Sequence, residues 1–153
     1  MQHPELLEML ADAGGSVSFG WADPGVFYAR FSHTLSARTG KAFAARLNST
    51  ARIGKRFKYF ADAYALESYD LLARSAFVRV VNEHRRLFEQ IHILAWQDGE
   101  VSPALLSALG QPVSVTHDPI EFEARLLGAA PRARTVLAAK PDSPHRTRWP
   151  LRR

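Results

Sequence analysis

Three aspartates, Asp62, Asp70 and Asp98, are the side chains of this 153-residue chain best suited to chemistry. Gathered at the carboxyl ends of adjacent strands, they would offer the hard oxygen donors that magnesium and phosphoryl-transfer sites use. Their simpler roles are structural: Asp70 caps a helix and Asp98 opens the Asp98-Gly99 turn. Six histidines (His3, His33, His84, His92, His117, His145) contain no i, i+4 pair and no acidic partner at ligand spacing, which argues against zinc. His117-Asp118 and Ser102 supply the residue types of a hydrolase triad without a G-x-S-x-G elbow, so His117 reads as a strand end and Asp118 as a helix cap. Neither Gly-rich phosphate cradle, G-x-G-x-x-G or G-x-x-x-x-G-K-[ST], occurs. The absence of cysteine excludes disulfides, thiolate zinc and a cysteine nucleophile. The expectation is a non-enzyme with no cofactor and no metal.

The elements that must position these residues follow from periodicity and punctuation. Pro4 to Asp12 carries Leu6, Leu7, Met9 and Leu10 at helix-compatible spacing before Gly14-Gly15, which predicts a short lead-in helix within residues 1–15. Ser16 to Ala22 alternates Val17, Phe19 and Trp21 with small residues. Asp23-Pro24-Gly25 then turns the chain into a second strand, Val26 to Leu35, with Phe27, Ala29 and Phe31 inward. Ser36 caps a helix to about Asn48, with Phe43 and Leu47 on one face. A strand over Phe57 to Ala63 leads through Asp70 into a helix from Leu71 to Phe88, whose apolar stripe is Leu71, Ala73, Phe77, Val80, Val81 and Leu87. A strand at Ile91 to Trp96, a helix from Pro103 to Leu109 stopped by Gly110, and a strand at Val113 to Thr116 complete the sheet. Asp118, Pro119 and Glu121 form the signature of a capping box, opening a last helix to Leu127 before Gly128. A hairpin followed by α-β alternation predicts an α/β fold: a mixed, mostly parallel sheet with an N-terminal β-hairpin and helices as crossover connections.

Composition sets the remaining bounds. The 46% hydrophobic and 23% charged content suits one globular domain, and no apolar run approaches the about 20 residues of a membrane span. Glutamates near Met1 replace the lysines of a signal peptide, so a cytoplasmic location is expected. The net charge of +5 is unevenly placed: residues 131–153 hold seven basic groups and one acidic, the other 130 residues 13 basic and 14 acidic. This tail is expected to be disordered or draped on the body. Arg132, Arg134, Arg146, Arg148, Trp149, Arg152 and Arg153 could contact nucleic acid or an anionic membrane surface through charge and stacking.

The order of elements, with Asp62 and Asp70 eight residues apart and Leu66 and Tyr69 between them, resembles the STAS domain family of SpoIIAA-like anti-sigma factor antagonists over about residues 16–130. In that family the second aspartate opens a motif close to D-S-S-G-L at a helix start, where a kinase phosphorylates the second serine and so breaks a complex. The resemblance implies a signalling module whose partner is a protein: an anti-sigma factor, a kinase or another STAS protein, with homo-oligomers also compatible. This chain reads Asp70-Leu71-Leu72-Ala73-Arg74, and Leu72 has no hydroxyl to phosphorylate. The expected docking surface is Asp70, Leu71, Leu72, Arg74, Ser75 and Arg79, with the exposed face of residues 76–83. Ser68 and Ser75 are the nearest alternative acceptors.

Overall fold

A computed structural model describes residues 7–96, 102–110 and 112–134. Its elements run β1 (Glu8–Asp12), β2 (Gly15–Asp23), β3 (Val26–Leu35), α1 (Ala37–Ala51), β4 (Phe57–Tyr69), α2 (Leu71–Glu83), β5 (Phe88–Ala95), α3 (Pro103–Leu109), β6 (Val113–Thr116) and α4 (Pro119–Ala129). The six strands lie in one sheet in sequence order. β1, β2 and β3 pair antiparallel, and β3 to β6 pair parallel through the helical crossovers.

Strand alternation sorts the core into two layers. Phe27, Ala29 and Phe31 of β3 and Phe57, Tyr59 and Ala61 of β4 pack with Phe43 and Leu47 of α1, Val80 and Val81 of α2 and Leu109 of α3. The opposite parity, Tyr28, Phe60 and Leu94, meets Phe122 and Leu126 of α4. Aromatic rings fill much of the first layer, with Phe19 and Phe31 each edge-on to Phe43 at 5.3 and 5.4 Å.

Several sequence expectations are corrected. Residues 8–12 form an edge strand, not a lead-in helix; residues 1–6 lie outside the described part. The apolar spacing of Met9 and Leu10 is compatible with either period, and the open edge of β2 offers a ladder that decides for strand. β4 runs six residues past Ala63, carried by pairing with β3 through two register shifts. The helix after it ends at Glu83 rather than Phe88, because His84 to Leu87 turn and Phe88 is buried as the first residue of β5. Arg85 and Arg86, inside the expected helix, lie in this turn instead. Leu87 lies beyond the helix too, and Leu71, expected in the apolar stripe, is 68% exposed. The last helix runs through Gly128 to Ala129.

Asp12 ties the first hairpin to α1. Its Oδ1 accepts from the amides of Gly14 (2.8 Å) and Gly15 (3.2 Å), while Oδ2 accepts from the hydroxyls of Ser36 (2.5 Å) and Thr39 (2.9 Å). Ser36 in turn accepts from the Thr39 amide at 3.1 Å as the N-cap of α1. These donors, the Ser36 hydroxyl foremost, lower the Asp12 carboxyl from 3.8 to about 2. A depressed folded-state value stabilises the fold above the unfolded value, and that contribution is lost as pH falls through the folded one. Acid titration of wild type and Asp12→Asn by circular dichroism checks this: the stability difference between them should be full above pH 3.8 and shrink towards pH 2.

At Gly40, α1 meets α2 with only the methyl group of Ala73 between the two backbones. A Cβ placed on Gly40 of α1 would lie 2.1 Å from Cβ of Ala73 in α2. Gly40→Ala should therefore destabilise the protein by about 1–3 kcal/mol through overpacking, despite alanine's better helix propensity, as urea unfolding would show.

Candidate functional site

The corner between β4 and α2 is built by one cap. Asp70 adopts an extended conformation (ψ 144°), its amide donates to the carbonyl of Leu35 (2.9 Å) and its Oδ1 accepts from the amide of Leu72 (2.8 Å). The helix starts there because the carboxylate satisfies an amide with no helical partner and complements the helix dipole. Leu71 and Leu72 follow on the first turn with 68% and 54% of their surface exposed. Ser75 and Arg79 are exposed and Arg74 is half-buried. Among the described residues neither Arg74 nor Arg79 makes a hydrogen bond or ion pair. Ser68 shares a hydrogen bond with Thr34 (3.0 Å) on the neighbouring strand.

The six residues expected to form a docking surface thus stand together on the first turns of α2. The aspartates do not gather. Asp62 is 3% exposed on the α4 side of the sheet, its Oδ1 accepting from the Tyr64 amide (3.1 Å) and its Oδ2 from the Tyr28 hydroxyl (3.4 Å). Burial, with the adjacent Asp62 charge, pushes the Tyr28 phenol well up. Asp98 lies outside the described residues. Among those described, no group of three or more histidine, aspartate or glutamate side chains is placed to hold a metal ion.

The other candidates are used in the scaffold. Ser102 accepts from the Leu105 amide (3.0 Å) as the cap of α3, and His117 Nδ1 lies 3.3 Å from the carbonyl oxygen of Ala95. Asp118 caps α4 by accepting from Ile120 (2.9 Å). The capping box closes differently from its sequence signature: Glu121 accepts from Thr116 Oγ1 (2.8 Å), and Thr116 Oγ1 accepts the Asp118 amide (3.3 Å). At the start of the tail, the Arg132 amide donates to Asp23 Oδ2 (3.3 Å) and its guanidinium lies 3.8 Å from Oδ1. Ala133 is buried beside α4, and Arg134 is exposed. Arg146, Arg148, Trp149, Arg152 and Arg153 fall outside the described residues.

Sequence reading missed a cavity of about 160 Å³ under α2. It lies between the carboxyl halves of β3 to β5 and the helices α1, α2 and α3. Phe31, Phe43, Tyr59 and Phe77 surround it, and Arg74 with Glu67, Ser68 and Tyr69 borders it. Its cause is legible afterwards: Ala61, Ala63 and Ala95 put methyl groups where larger inward side chains would fill the layer.

A single mixed sheet with this helix arrangement is a SpoIIAA-like fold. Comparison with solved structures shows the same: the chain resembles a protein of the DUF3478 family with a SpoIIAA-like fold from Shewanella loihica PV-4, at 15% identity, over 76% of this chain and 98% of that one, with a TM-score of 0.55. The unphosphorylated anti-sigma factor antagonist SpoIIAA also aligns, at 12% identity over 80% of this chain and 98% of that one, with a TM-score of 0.47. No family model matches the chain, and no curated protein matches it in sequence. The protein has a SpoIIAA-like fold.

Replacing the cap should separate structure from surface. Asp70→Ala is expected to lower stability by about 1 kcal/mol, within the usual range for N-cap loss, measured by urea unfolding.

Proposed function

We propose that the protein is a non-enzymatic regulatory module that docks a protein partner through the start of α2. The observation that supports this reading most is the Leu71-Leu72 pair, two large aliphatic side chains held in water by a capped helix turn. Burial against a partner would recover roughly 1.5–3 kcal/mol for each. Arg74 and Arg79, free of intramolecular partners among the described residues, and Asp70 supply a charged rim around them. The fold adds to the reading, since one solved structure of similar architecture is an anti-sigma factor antagonist by its own description. An anti-sigma factor, a kinase or a second STAS domain is the kind of partner proposed.

Binding in this reading is constitutive. Phosphorylation at the family's position would add charge and bulk to the helix N-terminus, but Leu72 carries no acceptor. A cytoplasmic location fits such a role; among the described residues no helix is long and apolar enough to cross a membrane.

The test is affinity capture from native lysate with wild type and Leu71→Glu/Leu72→Glu protein, quantified by mass spectrometry. Partner recovery should fall about tenfold or more in the variant, while its stability stays close to that of wild type because both side chains are exposed. Equal recovery of every partner by both proteins would refute the docking surface. Stoichiometric phosphate on Ser68 or Ser75 in protein from native cells would refute constitutive binding.

A further inference from the structure

The cavity beneath α2 calls for its own explanation. Protein interiors pack as densely as organic crystals, and voids larger than a water molecule are few. This one opens to the surface on one side and, at about 160 Å³, has room comparable to the engineered cavity of about 150 Å³ that takes up benzene. Space of that size fits one six-membered ring with a short substituent. Phe31, Phe43, Tyr59 and Phe77 present the ring faces and edges that such a guest would meet.

Two polar groups fix the class of ligand further. Tyr59 is 1% exposed and lines the cavity, yet its hydroxyl makes no hydrogen bond among the described residues. Burial alone acts on it and pushes its phenol upward, so it stays neutral and able to donate. A guest bearing a hydrogen-bonding atom would give this hydroxyl a partner. At the border Arg74 offers a guanidinium with no partner among the described residues, suited to a carboxylate. Glu67, also on the border, has His33 Nδ1 at 4.0 Å.

We infer that this cavity is a binding site for a small aromatic carboxylate, its ring among Phe31, Phe43, Phe77 and Tyr59, its carboxylate on Arg74, and a ring hydroxyl on Tyr59. The assignment shares Arg74 with the docking surface but otherwise concerns the space under α2 rather than the exposed Leu71-Leu72 pair.

Calorimetric titration of the full chain with 4-hydroxyphenylacetate, phenylacetate, benzyl alcohol and octanoate tests it. The aromatic acids should bind saturably, 4-hydroxyphenylacetate most tightly. Arg74→Gln should weaken both acids about tenfold or more while leaving the neutral benzyl alcohol unchanged. Tyr59→Phe should remove the advantage of the hydroxylated acid over phenylacetate. Ala63→Leu, which fills the cavity, should abolish binding of every probe. Because that variant could fold poorly, amide chemical shifts of the wild-type protein provide a second readout and should move around Ala61, Ala63 and Phe77. No saturable binding of either acid, shifts confined to other parts of the surface, or tighter binding of octanoate than of both aromatic acids would each overturn the assignment. Because partner capture is scored separately on Leu71 and Leu72, failure here leaves the docking reading standing, and failure there leaves this one.

Discussion

The approach of α1 to α2 at Gly40 and Ala73 is the constraint on which the corner between β4 and α2 depends. With no side chain on one helix and a methyl on the other, the two axes come closer than any larger pair would allow. That contact fixes the height of the first turn of α2 above the sheet. It thereby sets where Asp70 caps, how far Leu71 and Leu72 stand out, and how much space remains beneath the helix. Asp12 acts on the same assembly from the other side, holding the first hairpin against Ser36 and Thr39 at the start of α1.

The parting of Asp62 and Asp70 shows why paired acids eight residues apart do not form a site here. Asp62 shares strand parity with Phe60 and Tyr64, so it faces α4 and is buried beside Tyr28. Asp70 lies past the strand end and caps a helix on the opposite face. One acid has become part of the interior hydrogen bonding and the other part of a helix terminus. What stays available at the corner is apolar surface and arginines without a partner among the described residues.

Much of this was open to sequence reading because it rests on local rules. Ser36, Asp70 and Asp118 all cap the helices they were expected to cap, and Ser102 caps α3, since a short side-chain oxygen beside the first turn has a local partner in the helix's own amides. Gly110 ends α3 in the left-handed conformation that glycine adopts without strain (φ 66°). The misreadings came where a remote neighbour decided. Residues 8–12 are a strand because β2 has an open edge, and β4 is long because β3 runs beside it. Phe88 leaves the helical pattern because a sheet position buries it.

Sequence by itself determined the alternation of helices and strands from residue 16 onward, the caps, the absence of a hydroxyl at Leu72 and the concentration of basic charge in residues 131–153. These are properties of residue type and short-range spacing. Tertiary structure alone decided which face Asp62 joins, that Leu71 points to water rather than into the stripe its spacing suggested, and that three alanines on neighbouring strands leave one common void. The reason is geometric: burial and empty volume arise among residues distant in the chain, and no window of sequence contains all the side chains that bound them.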